Sequence, residues 1–205
     1  MIEENLLKVG LSSIAGVDEA GRGACAGPLV VAAVILQDLK SEKLEKVTDS
    51  KKLTPKSREL LFDVIIENST SYSIIEIASI EIDEIGLQRS NIEGMRRAVN
   101  ALTIKPDYVL TDGYSIPGLD APNLAVWKGD QVALSISAAS ILAKVHRDRI
   151  MLDLDGQYPG YGFADHKGYS TSVHEAAMRK LGVSDIHRQS YANVAEIAKI
   201  NPQFK

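Results

Sequence analysis

The sequence predicts an α/β protein in which helices cover a mixed β-sheet. Two apolar runs come first, at residues 14–17 and 29–36, and only a short glycine-rich segment separates them. Helical and strand-like patterns alternate after them, and from Ser137 onward the spacing of apolar residues is helical. Strands followed by alternating helices and strands are typical of a sheet with helices packed on its faces.

The two apolar runs are predicted to be the first two strands, paired as an antiparallel hairpin. Parallel neighbours need a crossover of a dozen or more residues, and the segment between these runs is too short to hold a helical one. The first run ends directly in two acidic residues, Asp18 and Glu19.

Local signals predict the remaining elements. A helix should begin at Pro55, because Thr54 can cap it and proline suits the first helical position. Apolar runs predict three more strands, and apolar residues at helical spacing predict four further helices. The strands are expected at residues 73–78, 108–111 and 124–127, and the helices at 55–68, 91–102, 138–153, 172–181 and 191–197.

Composition limits the domain organisation and the location. With 205 residues, 45% of them hydrophobic, the chain can bury one full core, and it contains no repeat or linker, so we predict a single domain over residues 1–205. The only cysteine, Cys25, cannot form an internal disulfide, and no signal peptide or membrane span is recognisable. These features indicate the cytoplasm. The net charge of −4 argues against a phosphate-binding surface spread over the whole protein, so such a surface must be local.

Four carboxylates follow predicted strands. Asp18 and Glu19 follow the first strand, Asp112 follows the strand at 108–111, and Asp130 follows the strand at 124–127. Carboxylate oxygens suit Mg²⁺ or Mn²⁺, and two such ions can assist a phosphoryl displacement. Taken singly, Asp112 and Asp130 are better explained as turn residues beside glycine. Asp18 and Glu19 are different, because two adjacent charges after a buried strand must face solvent, partners or a metal.

Basic and glycine-rich segments offer candidate phosphate contacts. The loop at 21–28 contains three glycines and an arginine, although a glycine-rich turn alone is usually only a turn. Lys51 and Lys52 belong to the densest basic cluster, which fits a duplex backbone or a solvated surface. Lys144, Arg147 and Arg149 are predicted to face either phosphates or water.

These segments together resemble the bacterial ribonucleases HII, which are type 2 ribonucleases H. The matching motifs run in the family's order over most of the chain. They are GVDEAGRG at 16–23 with Gly27-Pro28, DSKKL at 49–53, TDG at 111–113, KGD at 128–130, SAASILAKV at 137–145 with Arg147-Asp148, HKGY at 166–169 and IHR at 186–188.

The resemblance implies a ribonuclease H-like fold with a mixed five-stranded sheet and a helical C-terminal extension at about residues 155–205. It implies that four residues bind two Mg²⁺ or Mn²⁺ ions and are catalytic: Asp18, Glu19, Asp112 and Asp130. Asp148 would be a further acidic residue beside them. The substrate-binding residues would be Gly21, Arg22, Gly23, Lys51, Lys52, Lys144 and Tyr169.

Within that set the resemblance assigns two recognition roles. The loop Gly21-Arg22-Gly23 would read the ribose 2′-OH at an RNA–DNA junction, and Tyr169 would pack on the adjoining deoxyribose. Many relatives have Pro-Leu where this chain has Ala24-Cys25, a difference that is expected to loosen the loop while keeping its backbone donors. The partners implied are RNA/DNA hybrids and duplex DNA with embedded ribonucleotides, and the protein is expected to be a monomer. The ending at 201–205, NPQFK, lacks the glutamine-led aromatic segment that docks some relatives on a sliding clamp.

The function predicted from the resemblance is an endonuclease. It would hydrolyse the RNA strand of hybrids and cut 5′ of embedded ribonucleotides, leaving 5′-phosphate and 3′-hydroxyl ends. Three alternatives stay open at this point. The first is a metal-independent ribonuclease using the four histidines, the second is a non-catalytic duplex-binding module, and the third is another nuclease or integrase of the same broad fold.

Overall fold

A computed structural model of the chain describes residues 2–200, and its strands form one mixed sheet. The strands are β1 (Ile14–Ala20), β2 (Leu29–Leu36), β3 (Ser69–Ile77), β4 (Tyr108–Asp112) and β5 (Asn123–Val126). They are ordered β3-β2-β1-β4-β5. β1 pairs antiparallel with β2 and parallel with β4, and β4 pairs parallel with β5. The predicted α/β class, five-stranded sheet and hairpin are confirmed.

The described residues also form eight α-helices. These are α1 (Ile2–Lys8), α2 (Pro55–Glu67), α3 (Ser79–Ile85), α4 (Leu87–Asn100), α5 (Leu134–Gln157), α6 (Phe163–His166), α7 (Ser172–Leu181) and α8 (Ala192–Ile200). The cap predicted for α2 is present, since the Thr54 hydroxyl accepts a hydrogen bond from the backbone N–H of Ser57. None of these helices combines the length and the apolar character that a membrane span requires.

β1 is longer than the apolar run that predicted it. The strand continues through Asp18 and Glu19 to Ala20, because these residues pair with β2, with Asp18 opposite Ala32 and Glu19 opposite Val31. The two carboxylates therefore lie within the strand and not after its end. Sequence reasoning ended the strand at its first charge, whereas the pairing of backbone groups sets its actual length.

The chain folds into two compact units. The first contains the residues up to Ala20, Val30–Ile75 and Asn91–Val145, and the second contains Gly21–Leu29, Glu76–Ser90 and the residues from His146 onward. A core cluster of the first unit consists of Ile14, Leu110, Val126, Ala133 and Ile136. A core cluster of the second consists of Cys25, Ala26, Met151, Tyr161, Phe163, Met178, Val194 and Ile197. The single-domain assignment with an extension at 155–205 stays a prediction.

The start of α5 is fixed by two contacts in the first unit. Gly16 of β1 approaches the helix so closely that a Cβ atom would lie 2.1 Å from the carbonyl carbon of Ser135. Glu3 of α1 is fully buried, and its Oε1 accepts hydrogen bonds from the backbone N–H and the hydroxyl of Ser135, both at 2.9 Å. The sequence pattern did not predict α1, and this cap is the contribution of that helix to the fold.

Gly16→Ala should destabilise the protein by about 3 kcal/mol, since the added methyl group meets backbone atoms that cannot rotate away. The measurement is urea-induced unfolding followed by circular dichroism. Gly156→Ala is the matched control, because the new Cβ meets nothing within 4 Å on α5 and alanine favours helix by about 0.5–1 kcal/mol. Equal stability of the Gly16→Ala variant and the wild type would contradict the close approach.

Candidate active site

The four predicted metal-binding carboxylates lie in the first unit. Asp18 and Glu19 belong to β1, Asp112 is the last residue of β4, and Asp130 lies in the 3₁₀ turn Gly129–Gln131. Parallel pairing of Val17 with Thr111 puts Asp18 and Asp112 at the same edge of the sheet. The turn is held to this edge because Asp112 Oδ1 accepts a hydrogen bond from the backbone N–H of Gly129 at 2.8 Å.

These carboxylates repel one another. Asp18 is only 5% exposed, and burial, followed by the charges of Glu19 and Asp112, raises its pKa well above the ordinary value. Burial also raises the pKa of Asp130, with further contributions from Asp49 and Asp112. Clustered negative charge of this kind is unfavourable unless a cation or a proton compensates it.

A lysine and a fifth carboxylate lie beside Asp130. The Nζ of Lys51 is 3.7 Å from Asp130 Oδ2. Although some loss of hydration opposes its charge, the attraction of Asp130 and Asp18 raises the pKa of Lys51, whose side chain is exposed. Asp49 is buried and caps the turn Ser50–Lys52, accepting a hydrogen bond from the backbone N–H of Lys51 at 2.9 Å. Sequence reasoning missed Asp49 as a site residue, and its position two residues before the lysine pair was the available signal.

The donor set fits a hard divalent cation. It consists of carboxylate oxygens, and a bound cation would lower the energy of the ionised Asp18 and Asp130. Among residues 2–200, no three acidic, histidine or cysteine side chains are already arranged around a common metal position.

The glycine-rich loop belongs to the second unit, where Arg147 of α5 binds it. This arginine is fully buried, and it donates hydrogen bonds to the carbonyl groups of Ala26 (3.1 Å), Pro28 (2.9 Å) and Lys167 (2.9 Å). Burial lowers the pKa of Arg147 to about 10. Sequence reasoning expected this side chain to face phosphates or water, and both expectations are wrong because loop carbonyls surround it.

A second buried arginine holds the other part of the loop. Arg188 donates to the carbonyl oxygen of Gly27 from Nε (3.2 Å) and Nη2 (3.0 Å), and to that of Arg22 from Nη1 (3.1 Å). The hydroxyl of Tyr191 donates to the same Arg22 oxygen at 2.8 Å. The sequence motif contained Arg188 but indicated no role for it.

Gly21 is required by this arrangement. Its φ is +86°, and a Cβ atom there would lie 1.8 Å from Nε of Arg147. The positions of Ala24 and Cys25 are fully buried, and Cys25 pairs through its N–H with Gly168 O and through its carbonyl with Arg188 N. That the pair Ala24-Cys25 loosens the loop stays a prediction.

Tyr169 lies over the loop. Its side chain is the nearest group to Gly23, 3.7 Å from where a Cβ would stand, and the guanidinium of Arg147 is 5.6 Å from its ring centre. The residue is 39% exposed, which leaves part of it open to a ligand.

The other predicted binding residues have different surroundings. Lys52 is exposed, Lys144 is partly buried on α5 in the first unit, and Arg149 is exposed. Asp148 is partly buried in the second unit, where its charge acts on Arg147. The roles of these residues stay predictions. The expected absence of a sliding-clamp segment concerns 201–205, which lie outside the described residues.

Comparisons with known proteins agree with the motifs. The family model described as Ribonuclease HII matches residues 15–194. The chain is 55% identical to the ribonuclease HII of Mycobacteroides abscessus over 197 residues, which are 96% of this chain and 84% of that protein. It is similar to the crystal structure of ribonuclease H2 from Pyrococcus horikoshii OT3, with a TM-score of 0.80 and 31% identity over 93% of this chain and 99% of that one. It also shares its fold with Bst-RNase HIII in complex with Mn²⁺, with a TM-score of 0.73 and 20% identity over 96% of this chain and 72% of that one.

Asp18→Asn should stabilise the metal-free protein at neutral pH. The pKa of Asp18 is higher in the folded than in the unfolded state, so the folded state holds more protons between the two values. The stability of the wild type should therefore fall as pH rises from about 4 through the raised pKa, and the variant should lack this fall.

The measurement is the melting temperature from pH 4 to 8 in EDTA and in Mg²⁺. Magnesium should raise the melting temperature of the wild type more than that of Asp18→Asn. Asp63→Asn, which changes an exposed carboxylate of α2, is the control and should follow the wild type. A variant that melts below the wild type at pH 7 in EDTA would show that Asp18 is not repelled by its neighbours.

Proposed function

Because this chain belongs to the ribonuclease HII family, we propose that it hydrolyses the RNA strand of RNA/DNA hybrids and cuts duplex DNA 5′ of embedded ribonucleotides, leaving 5′-phosphate and 3′-hydroxyl ends. Family membership makes the chain a ribonuclease H endonuclease and confirms the resemblance in its motifs. The observation that carries the detailed proposal is the cluster of Asp18, Glu19, Asp112 and Asp130, in which burial and like charges raise the pKa of Asp18 and of Asp130.

Asp18, Glu19, Asp112 and Asp130 would hold two divalent cations, Mg²⁺ or Mn²⁺. When bound, the ions supply the positive charge that acidifies the attacking water and neutralises the leaving 3′-oxygen. Asp18, Glu19 and Asp112 belong to paired strands, and the turn with Asp130 is tied to β4 through the hydrogen bond from Gly129 to Asp112. The positive charge of Lys51 lies beside Asp130, where it is suited to bind a phosphate that enters this cluster.

The Gly21-Arg22-Gly23 loop would read the ribose. Arg188 donates to the carbonyl group of Arg22 within this loop and to that of Gly27 beyond it, which restrains the backbone offered to a substrate. A site built to hydrogen-bond a hydroxyl discriminates strongly against the analogue that lacks it. Reading the 2′-OH in this way would let the enzyme spare DNA.

The histidines do not support the metal-independent alternative. His174 and His187 are buried, and burial lowers the pKa of each to about 4, so neither holds the proton that a general acid needs near neutral pH. His166 bonds the carbonyl of Tyr161, and His146 pairs with Glu76 at 2.7 Å. The non-catalytic alternative is disfavoured because clustered carboxylates repel a phosphate backbone unless cations lie between them.

The test is incubation with duplex DNA that carries one ribonucleotide. We expect one cut 5′ of the ribose in Mg²⁺ and none in EDTA, with the ends identified by ligation and phosphatase treatment. Cleavage in EDTA would support the histidine alternative, binding without cleavage would support the non-catalytic module, and cutting of a duplex without ribose would support another nuclease of this fold.

Asp112→Asn should lower turnover by about a thousandfold, equivalent to about 4 kcal/mol of transition-state stabilisation. The fold should persist, because the asparagine oxygen can still accept the hydrogen bond from Gly129. The rate is measured on the single-ribonucleotide duplex, with Asp63→Asn as the control. Near-normal turnover would contradict the role of the carboxylates.

Replacing both Lys51 and Lys52 by alanine should weaken binding to all duplexes alike. Each lost phosphate contact should reduce the slope of log K against log salt by about 0.9. Binding is measured by fluorescence anisotropy in the Asp112→Asn background, where the duplex stays intact. Alanine at Lys43 and Lys46, both exposed, removes the same charge and should leave the slope unchanged. An unchanged slope in the Lys51/Lys52 variant would make this cluster a solvated surface.

Tyr169→Ala should reduce activity mainly on the single-ribonucleotide duplex. An aromatic ring stacked on a nucleotide contributes about 1–3 kcal/mol, and sugar packing belongs near the lower value. Tyr169→Phe keeps the ring and should retain most of the activity. Equal damage by both changes would assign the role to the hydroxyl, and equal losses on a uniform RNA/DNA hybrid would indicate a structural tyrosine.

A further inference from the structure

Three histidines lie together beneath the turn that carries Tyr169. His166 and His174 stack with ring centres 4.3 Å apart, and Nε2 of His174 is 3.0 Å from Nε2 of His187. His174 and His187 are buried, and Phe163 packs its edge or face against all three rings. All three rings belong to the second unit, and none of them has a role in the reaction proposed above.

The hydrogen bonds assign the protons on two of these rings. The backbone N–H of Ser184 donates to Nδ1 of His187 at 3.1 Å, so the proton of that ring is on Nε2. His187 Nε2–H then donates to Nε2 of His174, whose own proton must be on Nδ1. That proton is donated to the carbonyl oxygen of Tyr169 at 3.0 Å. The chain of donors runs in one direction, from Ser184 to Tyr169.

His166 fixes the same turn from the other side. Its Nε2 donates to the carbonyl of Tyr161 at 2.9 Å, which leaves Nδ1 to accept the backbone N–H of Gly168 at 3.2 Å. Its own carbonyl accepts the N–H of Tyr169 at 2.9 Å. The carbonyl of Gly168 accepts from Cys25 and Ala26 of the glycine-rich loop. The backbone around Tyr169 is thus held from both sides.

We propose that the chain Ser184–His187–His174 is a positioning device that orients Tyr169 for the junction between ribose and deoxyribose. His174 is its positioning residue, because it alone joins the chain to the Tyr169 carbonyl. Both rings act as neutral hydrogen-bond relays, which agrees with the pKa of about 4 that burial gives each. The inference rests on the proposed role of Tyr169.

A pair of amide variants separates the donor role of His174 from its acceptor role. In His174→Asn the amide nitrogen can take the place of Nδ1, so the donor to Tyr169 is kept and the acceptor for His187 is lost. In His174→Gln the amide oxygen can take the place of Nε2, so the acceptor is kept and the donor to Tyr169 is lost. Both variants lose the ring that stacks on His166.

The readout is kcat/KM on the single-ribonucleotide duplex divided by kcat/KM on a uniform RNA/DNA hybrid. We expect His174→Gln to lower this ratio about five- to tenfold, the effect of one lost hydrogen bond, and His174→Asn to keep it within about twofold. Equal ratios for the two variants would overturn the positioning role. Tyr169→Ala is measured alongside. If this variant leaves the ratio unchanged, the proposed role of Tyr169 is wrong. If it lowers the ratio while the two His174 variants have equal ratios, only the relay is rejected.

The ring protons of the wild type give a second test that does not depend on the folding of variants. Nitrogen-15 NMR of the imidazoles should find the proton of His174 on Nδ1 and that of His187 on Nε2 at pH 7. A proton on Nε2 of His174 would remove the donor to Tyr169 and overturn the proposal.

Discussion

A buried charge has to be compensated, and this constraint governs both units of the protein. In the second unit two fully buried guanidinium groups, those of Arg147 and Arg188, are compensated by backbone carbonyls of the glycine-rich loop. Each arginine has several donors in a fixed plane, so several carbonyls must face it at once. In the loop the carbonyls face these guanidinium groups, and Gly21 leaves the space in which Arg147 lies.

The first unit contains the opposite case, because its buried carboxylates lack sufficient positive charge. Asp18 and Asp130 have raised pKa values, and Lys51 is the cation that approaches Asp130. A fold optimised for stability alone would not retain such a cluster. The cluster lowers the stability of the fold. Divalent cations bound during the reaction would supply the missing positive charge and would also activate the attacking water.

The histidines show a third solution, in which groups able to ionise stay neutral. Ser184 provides the N–H that begins the relay, and the Tyr169 carbonyl oxygen accepts its last hydrogen bond. Every polar atom along this route is matched with a partner of the right kind, which is how buried networks avoid desolvation penalties. The arginines and the histidines thus fix different parts of the same backbone, the loop by charge and the tyrosine turn by neutral hydrogen bonds.

The sequence by itself determined the fold class, the hairpin and the Thr54 cap, because periodicity and capping are local properties of the chain. It also carried the family motifs in order. The tertiary structure alone decided that Asp18 and Glu19 lie inside β1, that Glu3 caps α5, that Asp49 borders Asp130 and that Arg147 is buried. The physical reason is that these outcomes depend on partners distant in sequence: Glu3 bonds Ser135, 132 residues away, and Arg188 bonds Arg22, 166 residues away. Whether a charged side chain meets water or carbonyl groups is decided only when such segments come together.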